Sequence, residues 1–464
     1  VNAGQVETDG AIQAQQFLLN AERWLNAGKT SITGDGQITS GQLDNRGSLL
    51  TAGNWTIHSD VASNAGTLQG NVLAIQATTL TSSGQAQALG AVNLTVADTF
   101  TNSGDWLSGE ALRLQATKAE NRGSLQALTL TADGGSLNNR GTMSGINNLS
   151  LFLTGSLDNA GTLQGNQLRA EAARLTNQGT LHGTDALTLA ITGNLSNQGE
   201  LLSEGDSTTS AHRFDNQGTL QAKNVALQVN ELDNAGKIFG VSSLALTATH
   251  GLTNQQAGKL LSQGAATLAA KEVVNAGDWQ AKTLTLAAED LTNDGQIQGD
   301  ESLSLTLLTT DGKGTVVNRG TVTTGGDATL FARLMDNQGT LSSLGHTELT
   351  GASLINDGRL VAATGLSLRG DYQGRGLLNT AGTAARRHAG ESRALGKPGA
   401  VPARPDVDQS GDGAGQYGCT VSGSTDKPRR HHWCRYVNAV AQRQPLQYWC
   451  VAQSCAGCHG NRSR

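Results

Sequence analysis

LDNAGTLQG, residues 157–165, returns with small changes along most of the chain. It reads LDNRGSL at 43–49, LTNQGTL at 175–181 and FDNQGTL at 214–220. It reads LTNDGQI at 291–297 and MDNQGTL at 335–341. The motif glycine is followed through Gly4, Gly28, Gly47, Gly66, Gly84, Gly104, Gly123, Gly141, Gly161 and Gly179. It continues through Gly199, Gly218, Gly236, Gly258, Gly277, Gly295, Gly320, Gly339, Gly358 and Gly382. Most spacings are 18 to 20 residues, with small insertions such as TNQQAG at 253–258. A period near 20 is too short for two packed helices and suits one turn of a solenoid.

The rest of each unit agrees with that reading. Two residues past the glycine the side chain is large and apolar, save at Thr30, Ala86 and Ala384, so this position faces inward. Between motifs lie alternating runs such as LRLQA (112–116), LTLAI (187–191) and LSLTL (303–307). That is the period of a strand with one buried face. Strands of ~3–5 residues are expected, joined by tight turns. No proline precedes Pro398, as a chain laddered on both sides requires. The expected fold is all-β: a parallel β-helix of about 20 coils, roughly 95 Å long at ~4.8 Å per coil. One such coil cannot bury enough apolar surface to fold alone; stacking supplies the core.

Each motif residue then has a mechanical task. Glycine is expected to take the positive φ of a tight turn. Asparagine is expected to bond to its equivalent one coil away, forming an amide ladder. The candidate turn and ladder residues are Asn45, Gly47, Asn159, Gly161, Asn177, Gly179, Asn216, Gly218, Asn234, Gly236, Asn337 and Gly339. The residue between them varies (Arg46, Ser103, Ala160, Gln178, Asp294) and should face water.

Composition narrows the function. Aromatic residues are 3% and charged residues 15%, low for a compact globular domain. The net charge of −5 divides into −12 over residues 1–382 and +7 over 383–464. An acidic rod lacks the footprint of a nucleic-acid binder. No run of 18 apolar residues exists, so no bilayer-spanning helix is expected. The first cysteine is Cys419, which suits a chain exported unfolded. The chain opens on VNAG, read as the middle of a repeat and so as a fragment of a longer array.

The phrase seen in LDNAGTLQG and in ASNAGTLQG (62–70) resembles the 20-residue repeat of the filamentous haemagglutinin family, which includes the contact-dependent growth inhibition exoproteins. The resemblance covers residues 1 to about 383. It implies a right-handed parallel β-helix, secreted through a dedicated outer-membrane two-partner transporter. It further implies a filament at the bacterial surface. The filament would meet a host or neighbouring-cell receptor or glycan, or carry a toxin tip. Neither the family's N-terminal secretion domain nor its VENN sequence is present, so no residue is assigned to either role. The reading is a stalk serving adhesion. A toxin-delivery stalk is the second reading, and a β-helical polysaccharide lyase or hydrolase the alternative of another class.

Several local features are candidate sites. Arg369, Gly370 and Asp371 spell RGD, a candidate receptor motif expected in a turn. Asp215 and Asp233 precede motif asparagines of successive coils and would stack ~5 Å apart, as carboxylates of sugar-cleaving solenoids do. The same position alternates among Asp158, Thr176, Ser196 and Thr253, which reads better as a solvated row. Trp24, Trp106 and Trp279 read as core. His58, His182, His212, His250 and His346 share no ligand spacing. CAGCH (455–459) matches a haem attachment pattern, and Cys450, Cys455, Cys458 and His459 can be drawn as a zinc set. Neither has a fold around it, so no cofactor or metal is assigned. All five prolines and all five cysteines lie beyond residue 396. The irregular tail 384–464 is read as out-of-frame after residue 383, with a disordered linker or small basic domain as the other reading.

Overall fold

The computed structural model describes residues 1–307, 314–380 and 383–387. Every described residue belongs to one compact unit. Cys419, Cys450, Cys455, Cys458 and His459 lie outside the described residues, as does Gly382.

The described residues form a parallel β-solenoid of about 20 turns, with no helix among them. Residues 46–64 show one coil. Strand Ser48–Thr51 follows the motif glycine and makes the first side. A turn at 52–54 leads into strand Trp55–Asn64, which makes the other two sides. Ser40 pairs with Ser59 and Gln42 with Val61, and pairing lapses at Asp60 between them, where the chain bends. The same corner slips register in other coils, as between Val96 and Thr99. Continuous strands are therefore longer than the alternation suggests, up to the 18 residues of Lys237–Asn254. In coils such as 46–64 the second corner is a bend within one strand, whereas in others, as between Thr142–Leu153 and Ser156–Asn159, the strand ends there.

The alternating runs face as their period requires. Leu112, Leu114 and Ala116 are buried while Arg113 and Gln115 between them are exposed. One continuous apolar core runs along the axis. Bulk is shared between coils rather than fixed in each. Gly36 lies in register between Phe17 and Trp55, and the indole of Trp55 occupies the space a side chain on Gly36 would need. Ala86 likewise lies between Leu68 and Trp106. Trp24, Trp106 and Trp279 are all buried, together with Trp55.

The motif glycine serves a different purpose from the one its turn suggests. Among the described residues, positive φ occurs only at Gly370 (142°) and Gly374 (133°), and at no glycine of the motif. The constraint is close approach. A Cβ on Gly47 would be driven into the carbonyl oxygen of Gly28, and one on Gly161 into that of Gly141. The same collision recurs at Gly179, Gly218 and Gly236. Backbones pass so closely at this corner that no side chain fits.

Both ends of the glycine series are displaced from where the motif places them. Ala3 pairs with Ala21 and Gln5 with Arg23, so Gly4 lies within the long strand. Gly10 is the glycine beneath Gly28, and Lys29 N–H donates to its carbonyl at 3.0 Å. VNAG is thus not a copy of the motif; TDG at 8–10 holds that place. At the other end Arg359 pairs with Leu377, and Gly376 stands over Gly358. LLNTAGT (377–383) spells the motif, but its Asn379 stands opposite Val361 on the first side.

Gly161→Ala should lower stability by about 1–3 kcal/mol by overpacking the corner. Ala160→Ser, one residue earlier and exposed, should change it by less than about 0.5 kcal/mol. Denaturant unfolding followed by circular dichroism checks the pair; equal midpoints would show that the corner has room.

Candidate functional site

The corner that carries Asn-x-Gly is a polar column inside an apolar rod. Asn45, Asn159, Asn177, Asn216, Asn234 and Asn337 are all buried. A buried amide must find partners for both of its N–H groups and for its oxygen. The next coil supplies them. Asn45 Nδ2 donates to Asn64 Oδ1 at 2.7 Å and to the carbonyl of Thr67 at 3.1 Å. Asn159 Nδ2 donates to Asn177 Oδ1 at 2.9 Å, and Asn177 Nδ2 to Asn197 Oδ1 at 2.9 Å. Asn216 repeats this to Asn234 at 2.8 Å, and Asn337 to Asn356 at 2.7 Å. The main chain adds to it: the carbonyl of Asn26 accepts both Arg46 N–H at 2.8 Å and Gly47 N–H at 2.9 Å. The variable residue between Asn and Gly is exposed at Arg46, Ser103, Ala160, Gln178 and Asp294.

The column has built ends. Thr8 stands beneath Asn26 and bonds to its Oδ1 through the hydroxyl at 2.9 Å. Above Asn356 the asparagine position is taken by Gly374, and Asn356 Nδ2 donates instead to the Tyr372 hydroxyl at 3.3 Å.

Asp215 and Asp233 do pair in register on successive coils, but a guanidinium lies between them. Arg213 Nε donates to Asp215 at 2.8 Å, Nη1 to Glu231 at 2.9 Å, and Nη2 lies 3.7 Å from Asp233. The hydrogen bond to Asp215 holds the Arg213 guanidinium charged beyond its ordinary range. Asp233 also accepts from Gln255 at 2.6 Å. Carboxylates gathered round one guanidinium make an ion-pair network on the rod surface rather than an acid and base with separated roles. Glu120, on the same row, accepts from Lys118 at 2.8 Å, which holds its carboxyl below the usual range.

RGD is not in a turn. It lies within strand Gly365–Gln373, at the second corner, where pairing slips between Thr350 and Ser353. Gly370 is buried against the Gly351 carbonyl, with Arg369 and Asp371 exposed on either side. Arg369 pairs with Glu348 of the preceding coil at 3.3 Å.

The described histidines are spread along the rod, and no cluster of three or more His, Cys, Asp or Glu able to hold a metal occurs among the described residues. Two of them line open grooves along the second corner. In one, of about 870 Å³, Asn230 Nδ2 lies 2.7 Å from His212 Nδ1, and Thr249 donates to Asn230 Oδ1 at 3.0 Å. In the other, of about 630 Å³, His58 Nδ1 lies 3.1 Å from Gln76 Oε1.

Sequence reasoning missed the Arg213 clamp, although the alternation Arg213-Phe214-Asp215 puts its two charges on one face. It missed the grooves, which arise from a bend that no residue type marks. It also left Ser82, in TSSG at 81–84, unremarked.

The haemagglutinin-repeat family profile matches residues 1–104, 61–144, 224–313 and 296–370. The deoxyribonuclease CdiA of Dickeya dadantii (strain 3937) is 37% identical over 330 residues, covering 71% of this chain and 8% of that protein. The toxin CdiA of Escherichia coli is 32% identical over 414 residues, 81% of this chain and 11% of that one. The tRNA nuclease CdiA of Escherichia coli O6:K15:H31 (strain 536 / UPEC) is 31% identical over 431 residues, 81% and 12%. The chain thus spans roughly a tenth of the length of these curated relatives. No solved structure matches it. With the repeat, the solenoid and these relatives agreeing, the chain belongs to the haemagglutinin-repeat family of filamentous haemagglutinins and contact-dependent growth inhibition exoproteins.

Proposed function

We propose that this chain is a section of the stalk of a large secreted surface exoprotein, without catalytic activity of its own. The observation that carries the reading is the unbroken column of amide bonds from Asn102 to Asn356. A coil stacked on its neighbours through every rung holds distance and direction; it does not open a substrate pocket. Arg213 between Asp215 and Asp233 supports the same reading against a polysaccharide lyase. The nuclease activities belong, by name, to the relatives; they are not assigned to any residue here.

The partner in export is an outer-membrane two-partner transporter, which the family implies. Among the described residues no helix is long and apolar enough to cross a membrane. The distal role is adhesion to a host or neighbouring cell. Delivery of a toxin is the second reading, favoured by the relatives being named toxins and nucleases.

A stalk tolerates loss of a whole coil. Deleting residues 160–177 joins Asn159 to Gln178 in register, since Asn159 stands beneath Asn177. In the complete exoprotein on cells, surface display and adhesion or growth inhibition should persist. Deleting residues 160–168 alone should abolish display by misaligning every later coil. Loss of binding on the whole-coil deletion, with display intact, would instead place a receptor site on those coils.

Two further outcomes follow. The purified chain should release no products from DNA, tRNA or polysaccharide; cleavage abolished by Asp215→Asn would overturn the stalk reading. Adhesion should survive Asp371→Glu, because Arg369 is already paired and Gly370 is buried in a strand. Its loss in a cell-binding assay would make Arg369, Gly370 and Asp371 the receptor motif.

A further inference from the structure

Between Asn26 and Asn356 the amide column is interrupted once among the described residues, at Ser82. Ser82 is buried, and its hydroxyl has no hydrogen-bond partner. Below it, Asn64 Nδ2 keeps only the carbonyl of Gln85 at 3.3 Å, having no side-chain acceptor to reach. Above it, Asn102 receives no amide from beneath. Its Oδ1 turns to its own coil and accepts Gly104 N–H at 3.1 Å. In most other coils the glycine N–H crosses to the coil below, as Gly161 does to Asn139 at 3.1 Å; besides Gly104, it does not do so at Gly123, Gly258 or Gly277. Here only Ser103 N–H (2.7 Å) and Asp105 N–H (3.0 Å) cross at the corner.

We propose that the coil between Ser82 and Asn102 is a built-in opening seam that divides the rod into two cooperative segments. One ladder runs from Thr8 to Asn64 and the other from Asn102 to Asn356; Asn102 begins the second, its Oδ1 closed within its own coil and its Nδ2 donating up to Asn121 at 2.9 Å. In a one-dimensional array, stability is set by each coil and its contacts with its neighbours, so the weakest interface opens first. The rod therefore parts at this coil, under thermal motion or tension, before it parts at a coil such as 178–200, whose amide rungs are complete on both sides. A buried hydroxyl without a partner and an absent buried amide bond each act in that direction.

Amide hydrogen exchange on the whole chain, read by mass spectrometry, tests this. Peptides covering residues 83–105 should exchange about tenfold faster than the equivalent peptides over 178–200. Ser82→Asn should join the two ladders and remove that difference. Asn177→Ser should transplant the seam, raising exchange over 178–200 by about tenfold with little change elsewhere. If Asn177→Ser unfolds the whole chain, the native profile and Ser82→Asn still decide. Uniform protection along the native rod, or unchanged exchange in a folded Ser82→Asn chain, would overturn the proposal.

Discussion

A buried primary amide that can be satisfied only by the next coil is the constraint on which the rest of this molecule depends. Asn177 has two N–H groups and an oxygen inside an apolar rod, and they pair with Asn197, the main chain and Asn159. Leaving such a group unpaired costs about 1–3 kcal/mol. Each coil is therefore incomplete without its neighbours, and the repeat must be long, regular and in register. The neighbouring glycine answers the same demand from the backbone side, since the closeness that lets amides bond leaves no volume for a Cβ above the carbonyl below.

That division of labour explains why the motif is constant inside and variable outside. Asn and the apolar residue two past the glycine are fixed by burial, while Arg46, Gln178 and Asp294 sit in water and are free to differ. Core volume is conserved over neighbouring coils rather than within one: Gly36 and Ala86 make room for Trp55 and Trp106. The surface carries charge in short networks such as Arg213 with Asp215, Glu231 and Asp233. Exposed pairs of this kind add little stability, so the outer surface can diverge while the rod persists.

Much of this was legible in the sequence because periodicity reports burial directly. The alternation at 112–116 and the buried Trp24, Trp106 and Trp279 are of that kind. What was not legible depended on register or on distances across coils. Gly47 looks like a turn glycine in one dimension; only the Gly28 carbonyl one coil away shows why it must be glycine. Gly4 and Gly382 fit the phrase by spelling, whereas Gly10 and Gly376 fit it by stacking. RGD suggested a turn, and Gly370 does have a positive φ, but the strand runs through it. The lone serine at 82 was visible as a letter; its meaning needed the amides above and below it.

The most direct measurement is electron cryo-microscopy of the purified chain at a resolution that separates coils. A rod with one layer every ~4.8 Å and a continuous column of side-chain density inside the Asn-x-Gly corner, broken at Ser82, is the predicted result. A compact particle, or a layered rod whose asparagine side chains point to solvent, would contradict the claim that cross-coil amide bonds hold the fold together.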